Sequence, residues 1–364
     1  MNTSQIAVVV DPYSSGALYA SEFAKHGVSC IAIQSSLPLP GHFVQDFIPS
    51  DFIKVLPPTN ELLPVLSAWN IVAIVAGCDT GVILADGLSK ILGLSGNDPA
   101  TSLIRRYKDQ MHVALEKFGL RHINTTVFTS FEAFSSCSNA FDDKTSFIIK
   151  PINSAGSEGV RFAKGRQGLV EAMKASAWGQ VNVLGEINSG FVVQPFIQGS
   201  EYIVDLILTG KGFFIGAVGR VYKVEINGSR FVCHSVHLLD PQAPELGDLI
   251  EYAQEAARGL SSISGTIHME LIWGRDGPVM IEANPRLPGA GLPSLYSRVY
   301  NPDLLSAAVC TYLGKPITYR GTLTPASSPK RERFGRLVCL ISEAEHEFAG
   351  LKERDLKTLH TVKS

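Results

Sequence analysis

The amino-acid sequence predicts a mixed fold, in which an α/β region with a parallel sheet is followed by an α+β region. Residues 6–10 and 29–33 are apolar runs separated by a stretch with helical spacing, and a third apolar run, at residues 71–76, leads into a helix from about residue 82. Strand–helix–strand units of this kind place their strands parallel in one sheet. After about residue 147 the pattern is mostly that of strands.

The remaining elements follow in order from the spacing of apolar residues. Residues 94–99 contain Gly, Asn and Pro and are expected to be a linker, after which residues 103–118 have the period of a helix. No GxGxxG motif follows the first strand, so a dinucleotide site is not indicated there. The later strands are expected at residues 147–150, 160–163, 191–197, 201–205, 230–239, 266–273 and 278–285, and helices near residues 168–178 and 246–261.

The composition argues against several classes of protein. Of the 364 residues, 18% are charged and 45% are hydrophobic, and the formal net charge is -2, which indicates neither disorder nor a nucleic-acid partner. The six cysteines show no CxxC pair, as expected for reduced thiols in the cytoplasm. No apolar stretch approaches the roughly 18 residues of a membrane span. We therefore expect a cytoplasmic protein of two or three domains.

Two acidic residues are predicted to face each other on a β-hairpin. Two strands flank a Gly-Arg-Asp-Gly turn at residues 274–277, and this register places Glu270 opposite Glu282 and His268 opposite Asn284. The Cβ atoms of opposed residues are about 5 Å apart, so two carboxylates there repel each other unless a cation lies between them. Two carboxylates and one amide suit Mg²⁺, which takes its other ligands from water and substrate phosphates. The alternative is an edge hairpin with a solvated polar face.

Two further segments have the residues expected of a nucleotide site. Lys150 ends a strand and precedes a loop of small residues, 153–159, whose backbone N–H groups can contact phosphate oxygens while the lysine supplies a charge. The spacing is not that of a P-loop, and a surface loop with a solvated lysine is the alternative. The extended residues 191–197 can offer backbone groups to an adenine edge, and Glu201 follows them as a partner for ribose.

In this order and spacing, these segments resemble the ATP-grasp superfamily of carboxylate-amine ligases. The resemblance runs from about residue 5 to about residue 320 and is greatest to the ATP-grasp amino-acid ligases, the dipeptide synthetases. One departure is Ile83, where close relatives often carry a glutamate. The resemblance rests on the sequences VDPYSSG at residues 10–16, AGCDTGVILAD at 76–86, RRYK at 105–108 and EANPRLPG at 282–289.

The resemblance implies which residues bind ATP and metal. Mg²⁺ or Mn²⁺, with two ions expected, would be bound by Glu270, Glu282 and Asn284, and the catalytic residues would be Arg286 and Lys150. The backbone of Pro195 and Ile197 would hold adenine. The full set expected to bind ATP is Lys108, Lys150, Ser154, Gly156, Ser157, Gln194, Pro195, Phe196, Ile197 and Glu201.

Five residues are expected to contact the substrates, and most of them have an alternative interpretation. Arg286 would stabilise the transferring phosphoryl group, or else form a salt bridge to one of the hairpin glutamates. His268 would contact the acyl phosphate or orient Glu270. Arg220 and His234 lie on predicted strands that face either the substrate or solvent. The expected substrate contacts are therefore Arg286, Gly289, His268, His234 and Arg220.

The resemblance also implies a reaction. The γ-phosphoryl group of ATP would be transferred to an amino acid carboxylate, and the amine of a second amino acid would attack the resulting acyl phosphate to give a dipeptide or amide, ADP and phosphate. Two alternatives stay open: a ligase or phosphotransferase for a different carboxylate, and a nucleotide-binding regulatory protein without turnover. The expected partners are small-molecule substrates, and a homodimer is compatible with the sequence.

The same resemblance divides the chain into four parts. The expected boundaries are residues 1–97 for an N-terminal Rossmann-like domain that precedes the ATP-grasp fold, 98–185 for a small subdomain with the phosphate loop, 186–320 for a C-terminal subdomain with the metal and catalytic residues, and 321–364 for a C-terminal extension.

Overall fold

The N-terminal part of the chain forms the predicted parallel sheet. The computed structural model describes residues 4–36, 47–59, 61–209, 212–226, 228–319 and 327–341. Beyond an exposed polar first residue, each strand of this sheet is apolar and mostly buried or partly buried, as is usual when helices cover a parallel sheet. They are β1 (Gln5–Val10), β2 (Ser29–Ile33), β3 (Lys54–Leu56) and β4 (Asn70–Ala76), in the order β3-β2-β1-β4, with helices α1 (Leu18–Ala24), α2 (Leu62–Leu66) and α3 (Val82–Ile91).

The single helix predicted at residues 103–118 is wrong in its first part. A 3-10 helix (Pro99–Arg105) is followed by a break at Tyr107 and then by α4 (Lys108–Phe118). The backbone N–H of Lys108 donates to the carbonyl oxygen of Ile152 at 3.0 Å, so a distant segment takes the bond that a continuous helix would have used. The break lets Arg105 and Lys108 reach different partners.

A small antiparallel sheet follows, with two helices packed against it. Its strands are β5 (Thr126–Phe128), β6 (Ser146–Pro151), β7 (Arg161–Lys164) and β8 (Phe191–Pro195), in the order β5-β8-β6-β7, and its helices are α5 (Phe131–Cys137) and α6 (Gly165–Lys174). Buried aromatic and aliphatic side chains, including Phe134, Phe147 and Leu169, form its core. The loop between β6 and β7 contains the predicted phosphate-binding residues.

A larger antiparallel sheet forms the rest of the core. Helix α7 (Gly247–Gly259) covers part of one face, whereas α8 (Leu292–Val299) and α9 (Leu304–Tyr312) pack on the other, which shares its core with the N-terminal sheet. In the described part of the chain the strand order is β13-β12-β9-β10-β11-β16, with β9 (Gly199–Thr209), β10 (Gly212–Ile226), β11 (Ser229–Leu238), β12 (Gly265–Gly274), β13 (Gly277–Asn284) and β16 (Arg336–Val338). The short strands β14 (Tyr300–Asn301) and β15 (Lys330–Arg331) pair beside it.

The predicted hairpin register is confirmed. Strands β12 and β13 pair so that Glu270 lies opposite Glu282 and His268 lies opposite Asn284. Of the expected C-terminal extension, residues 321–326 and 342–364 lie outside the described residues. Among those that are described, no helix has both the length and the apolar character needed to cross a membrane.

Candidate functional site

A cleft of about 910 Å³ lies between the small sheet and the large sheet. One wall is the loop after β6 and the segment that leaves β8, and the other is formed by side chains from β9, β10, β12 and β13. Of the residues predicted to bind ATP or metal, only Asn284 is absent from its lining. The predicted lining residues are Lys108, Lys150, Ser154, Gly156, Ser157, Gln194, Pro195, Phe196, Ile197, Glu201, Glu270 and Glu282.

Two buried lysines meet the hairpin at the polar end of this cleft. The Lys108 ammonium lies 3.1 Å from Glu282 Oε2 and donates to the Ser154 carbonyl at 2.9 Å. Lys150 donates to the Ile281 carbonyl at 3.4 Å. Burial, opposed by the charge of Glu282, lowers the pKa of Lys150 to about 8. Phosphate oxygens bound in the cleft would favour the charged form of Lys150, which burial disfavours.

The carboxylate of Glu282 is held in its ionised form. Burial alone would raise its pKa, but Lys108 and Lys150 outweigh burial and lower the pKa well below the ordinary value. Asn284 Nδ2 donates to Glu282 Oε1 at 3.2 Å, which leaves the amide oxygen of Asn284 as a ligand. With Glu270 opposite, this is an all-oxygen donor set of the kind that Mg²⁺ prefers.

The hairpin does not form a complete protein cage for an ion. Within the described ranges, no group of three or more His, Cys, Asp or Glu side chains is arranged to hold a metal. A site built from Glu270, Glu282 and the Asn284 amide needs further ligands from water and substrate phosphates. This is the usual arrangement for Mg²⁺ at nucleotides, and the donor set present therefore fits that ion.

The loop between β6 and β7 has the conformation of a phosphate cradle. Gly156, Ser157 and Gly159 have φ values of 65°, 61° and 69°, so three of its residues are left-handed. Such turns direct successive backbone N–H groups to one side. The Ser154 hydroxyl donates to Glu158 Oε2 at 2.6 Å, and the same oxygen accepts from the backbone of Val183, which ties the loop to the next segment.

The other end of the cleft is apolar. Ile148, Ile272 and Phe231 line it, and Phe196 makes an edge contact with the ring of Phe162, whose centroid is 5.3 Å away. Gln194, predicted to contact ATP, donates to Thr125 Oγ1 at 2.8 Å and is buried. The apolar surface suits the faces of an adenine ring.

Glu201, predicted to bind ribose, has a protein partner that sequence reasoning did not assign to it. Lys223 on β10 lies 2.6 Å from Glu201 Oε1, and both side chains line the cleft. Burial raises the pKa of Glu201 in spite of this lysine. In this pair, the Glu201 carboxylate can accept hydrogen bonds from a ribose diol, and the Lys223 ammonium can donate hydrogen bonds to ribose or phosphate oxygens.

A second cavity, of about 820 Å³, adjoins the cleft. Ala155 and Gly156 line both, so the phosphate loop separates the two spaces. Its other walls come from the ends of β1 and β4 and from the segment after β13. They consist of Ser14, Ser15, Gly77, Cys78, Asp79, Val183, Leu184, Arg286, Leu287 and Gly289, of which the predicted substrate residues are Arg286 and Gly289.

Arg286 is bound to neither glutamate of the hairpin, so the predicted alternative pairing is wrong. Its Nε donates to Asp79 Oδ2 at 2.8 Å, Nη2 lies 2.8 Å from the same oxygen as part of the ion pair, and Nη1 donates to the carbonyl oxygen of Leu287. Asp79 Oδ1 is buried and has no hydrogen-bond partner in the described part of the chain, with Arg106 Nη1 4.0 Å away. Burial alone would raise the pKa of Asp79, but Arg286 and Arg106 hold it below its ordinary value.

The remaining predicted substrate residues line neither cavity. His268 Nδ1 lies 2.8 Å from Asp205 Oδ1, and Asp205 Oδ2 accepts from the Tyr296 hydroxyl, so His268 is oriented by Asp205 rather than paired with Glu270. Burial would lower the pKa of His268, but Asp205 raises it. Arg220 and His234 lie beside the opposite face of the large sheet. From there, neither side chain lies at the wall of the cleft or of the second cavity.

Sequence reasoning missed two charged residues near the second cavity. Asp79 follows β4, and the carboxyl ends of parallel strands commonly carry ligand-binding residues, which was the available signal. Arg106 links Asp79 to Glu186, whose Oε1 lies 3.3 Å from Arg106 Nη2. Ile83, where relatives often have glutamate, is exposed on α3 and lines neither space.

The chain matches proteins of known function in sequence. A family model described as an ATP-grasp domain matches residues 131–290. Dapdiamide A synthase of Enterobacter agglomerans is 28% identical over 300 residues, which are 80% of this chain and 70% of that protein. Carnosine synthase 1 of Gallus gallus is 29% identical over 209 residues, which are 54% of this chain and 21% of that protein. The match therefore spans about a fifth of the carnosine synthase.

Solved structures share the fold. An L-amino acid ligase from Bacillus licheniformis superposes with a TM-score of 0.66 at 15% identity, covering 89% of this chain and 78% of that one. A carboxyaminoimidazole ribonucleotide synthase from Aspergillus clavatus, complexed with ATP, gives a TM-score of 0.66 at 11% identity over 91% of this chain and 81% of that one. At such identities the likeness establishes the common architecture.

Proposed function

We propose that this chain, which is a member of the ATP-grasp superfamily with the ATP-grasp fold, is an ADP-forming ligase that joins an amino acid carboxylate to an amine. The observation that carries the proposal is the shared loop. Ala155 and Gly156 border both the charged cleft and the cavity that holds Arg286 and Asp79. A phosphoryl group at the tip of this loop would lie between the nucleotide and a second substrate.

The lysines and the hairpin suit the triphosphate. Lys108 and Lys150 would neutralise phosphate oxygens, and Glu270, Glu282 and Asn284 would hold Mg²⁺ or Mn²⁺, with two ions expected. Bound there, the metal would neutralise charge on the transferring phosphoryl group. Positioning and charge neutralisation are most of what phosphoryl transfer requires of a protein.

The second cavity suits an amino acid. Arg286 would hold the carboxylate as it attacks the γ-phosphorus, breaking the bond to ADP and forming an acyl phosphate. Asp79 Oδ1, which lacks a hydrogen-bond partner among the described residues, would accept a hydrogen bond from an ammonium group. Val183, Leu184 and Leu287 give this space an apolar side for a side chain.

The second half of the reaction uses the same groups. An amine nitrogen would attack the acyl carbon, the bond from that carbon to the phosphate oxygen would break, and the amine proton would pass to phosphate or water. Arg286 would stabilise the negative charge on the tetrahedral intermediate. Dapdiamide A synthase and L-amino acid ligase, among the proteins that the chain resembles, have names consistent with amide formation.

The proposal is tested by product analysis. The protein is incubated with ATP, Mg²⁺ and pooled amino acids, and products are identified by mass while ADP and phosphate are measured. A condensed amide formed with stoichiometric ADP and phosphate is the expected result. A stable phosphorylated acid would assign a phosphotransferase instead, and bound, intact ATP without products would assign a regulatory protein.

A matched pair of variants tests the hairpin. Glu282→Ala should abolish amine-dependent ADP release while the protein stays folded, because it removes a metal ligand and the partner of Lys108. Glu251→Ala removes an exposed carboxylate from α7 and should leave the reaction unchanged. Undiminished ADP release by Glu282→Ala would show that the hairpin does not hold the metal.

A further inference from the structure

Basic side chains form a row on the face of the large sheet that points away from the nucleotide cleft. Arg220, His237 and Arg336 are direct register partners on β10, β11 and β16, so their side chains share one face. Lys223, which lines the cleft, is an odd number of residues from Arg220 and lies on the other face. With strands about 4.8 Å apart, the two arginines flank the histidine at one strand spacing each.

Contacts beneath the row fix its side chains in place. The Arg220 guanidinium lies 5.1 Å from the centroid of the Tyr222 ring and donates to Ser200 Oγ at 3.0 Å. The ring of Tyr222 is in turn 4.4 Å from that of His237. Arginine has five N–H donors, so Arg220 keeps donors for a ligand after these contacts.

The other side of the row converges on a buried hydroxyl group. Ser235 has no exposed surface, and its Oγ accepts from Arg336 Nη2 at 3.1 Å. The same oxygen lies 3.4 Å from His237 Nε2 and 3.3 Å from His234 Nδ1. Two guanidinium and two imidazole groups are thereby gathered around one serine and one tyrosine.

This cluster has no counter-charge in the part of the chain that the structure describes. Neither Arg220 nor Arg336 takes part in an ion pair there, whereas Lys223, on the opposite face, is paired with Glu201. Burial lowers the pKa of His237, and the charges of Arg336, Arg220 and His234 lower it further. Two guanidinium charges without an ion-pair partner among the described residues are stabilised by a bound anion.

Part of the row is exposed to solvent. Among the described residues, helix α7 packs on the part of this face formed by residues such as Val204 and Val218. Tyr222 is 38% exposed, and Arg336 is exposed. A ligand can therefore approach the row from solvent at Tyr222 and Arg336.

We propose that the row formed by Arg220, His237 and Arg336 is a binding site for the phosphoryl group of a small molecule, separate from the nucleotide cleft. Donors from three strands can contact several oxygens of a tetrahedral phosphate at once, whereas a carboxylate offers only two oxygens. Planar guanidinium groups bind phosphate through paired hydrogen bonds. Occupation of the site would also join the edge strand β16 to β10 and β11.

The test measures binding of pyrophosphate with the nucleotide cleft blocked. The full-length protein is saturated with Mg²⁺ and an ATP analogue that has an imido-linked terminal phosphate, and pyrophosphate is then titrated calorimetrically. One further equivalent should bind, and its affinity should fall as salt is added. Inorganic phosphate is titrated in a second arm to show whether a single phosphoryl group is sufficient, and succinate in a third to measure the affinity for a dicarboxylate.

Variants identify the site. Arg220→Gln and Arg336→Gln should each weaken pyrophosphate binding about tenfold or more, the effect of losing charged hydrogen bonds. Arg275→Gln removes an exposed arginine from the hairpin turn and should not change the affinity. All three variants should bind the ATP analogue as the unaltered protein does, which also shows that they are folded.

Three results would overturn the proposal. The first is the absence of pyrophosphate binding once the cleft is saturated. The second is equal affinity in Arg220→Gln, Arg336→Gln and Arg275→Gln, which would locate the anion elsewhere. The third is succinate binding as tightly as pyrophosphate, which would assign the row to acidic groups in general rather than to a phosphoryl group.

Discussion

Two buried arginine–aspartate pairs show how the same residue types serve different purposes. In the first pair, Arg105 Nη2 donates to Asp86 Oδ2 at 2.8 Å. In the second pair, Arg286 Nε donates to Asp79 Oδ2 at the same distance, and Nη2 lies equally close to that oxygen. All four side chains are largely buried, and both aspartates belong to the stretch of residues 76–86.

The two pairs differ in what surrounds them. The Arg105 side chain has no exposure, and it also donates to a hydroxyl group and to backbone carbonyl groups, among them those of Leu260 and Ser261, so it joins segments of the core. Arg286 and Asp79 line a cavity instead, and Asp79 Oδ1 has no hydrogen-bond partner in the described part of the chain. A buried ion pair alone therefore does not indicate function. What indicates function is that the second pair lines a cavity and that Asp79 Oδ1 is an acceptor without a hydrogen bond among the described residues.

The largest expected effect is on stability, from Arg105→Ala. Among the described residues, this change leaves the buried Asp86 carboxylate with only the Ser102 hydroxyl group as a donor. Breaking a buried ion pair by removing one partner typically costs about 3–5 kcal/mol. Urea unfolding should therefore show a loss of this size.

A double variant separates lost charge pairing from lost packing. Arg105→Met combined with Asp86→Leu removes both charges and keeps apolar volume, and such replacements are often neutral. It should recover most of the stability that Arg105→Ala loses. If Arg105→Ala changed stability by less than about 1 kcal/mol, the structural role given to this pair would be wrong.

The next largest effect is expected on activity, from Arg286→Ala. If Arg286 stabilises the phosphoryl group and the oxyanion, its removal should lower kcat about 100- to 1000-fold, the usual result of removing one well-placed donor. The rate of ADP formation with saturating substrates measures this. If Arg286→Ala kept its kcat and its melting temperature fell as far as that of Arg105→Ala, both pairs would be structural and the distinction drawn between them would be wrong.

A smaller effect is expected on substrate affinity, from Asp79→Asn. This change keeps the shape of the side chain and its bond to Arg286, but it weakens the acceptor proposed for an ammonium group. We expect KM for the amino acid to rise about tenfold or more, with a smaller change in kcat, because a charged hydrogen bond is typically worth about 1.5–3 kcal/mol. A substrate analogue without the ammonium group should show no such difference between Asp79→Asn and the unaltered protein, and an equal difference would remove Asp79 from this role.

The hairpin is the part of the site that the sequence predicts well. Alternation and a turn centred near Asp276 predict Glu270 opposite Glu282, and that pairing is present. The turn itself pairs Gly274 with Gly277, however, and a register shift between Glu270 and Leu271 is what brings Glu270 opposite Glu282, which the sequence did not indicate. The residues that line the cleft were predicted from the resemblance to the ATP-grasp superfamily, which rests on the order and spacing of the sequence motifs. Strand parity also carried a signal that the sequence prediction missed: Arg220 is three residues from Lys223, which lines the cleft, so the Arg220 side chain lies on the other face of β10.

Other parts depend on contacts between distant segments, which periodicity does not contain. Arg286 and Asp79 are 207 residues apart, and their pairing follows from how the N-terminal sheet packs on the large sheet. The break before α4 depends on the bond from Lys108 to the carbonyl of Ile152. Arg105 and Lys108 lie within one short motif, and only the break explains why one is structural while the other reaches the cleft.

The smallest expected effect is a pH dependence that distinguishes the cavity pair from an ordinary exposed charge. The pKa of Asp79 is lowered in the folded protein because Arg286 and Arg106 outweigh burial. A carboxylate whose pKa is lowered on folding stabilises the protein at pH values above its pKa in the unfolded chain, about 3.9. This stabilisation is lost as the pH falls through the pKa that the carboxylate has in the folded protein.

In Arg286→Gln the main stabilising charge is gone, so burial raises the pKa of Asp79. The Asp79 carboxylate of the variant therefore takes up a proton at a higher pH, which removes the cost of a buried and unpaired charge. The unfolding free energies of Arg286→Gln and of the unaltered protein should therefore differ most at neutral pH and converge as the pH falls toward about 4.

Urea unfolding at several pH values measures this convergence. The control variant Arg275→Gln should have the same unfolding free energy as the unaltered protein at every pH. A difference between Arg286→Gln and the unaltered protein that stayed constant with pH would mean that Asp79 does not depend on Arg286 for its charge.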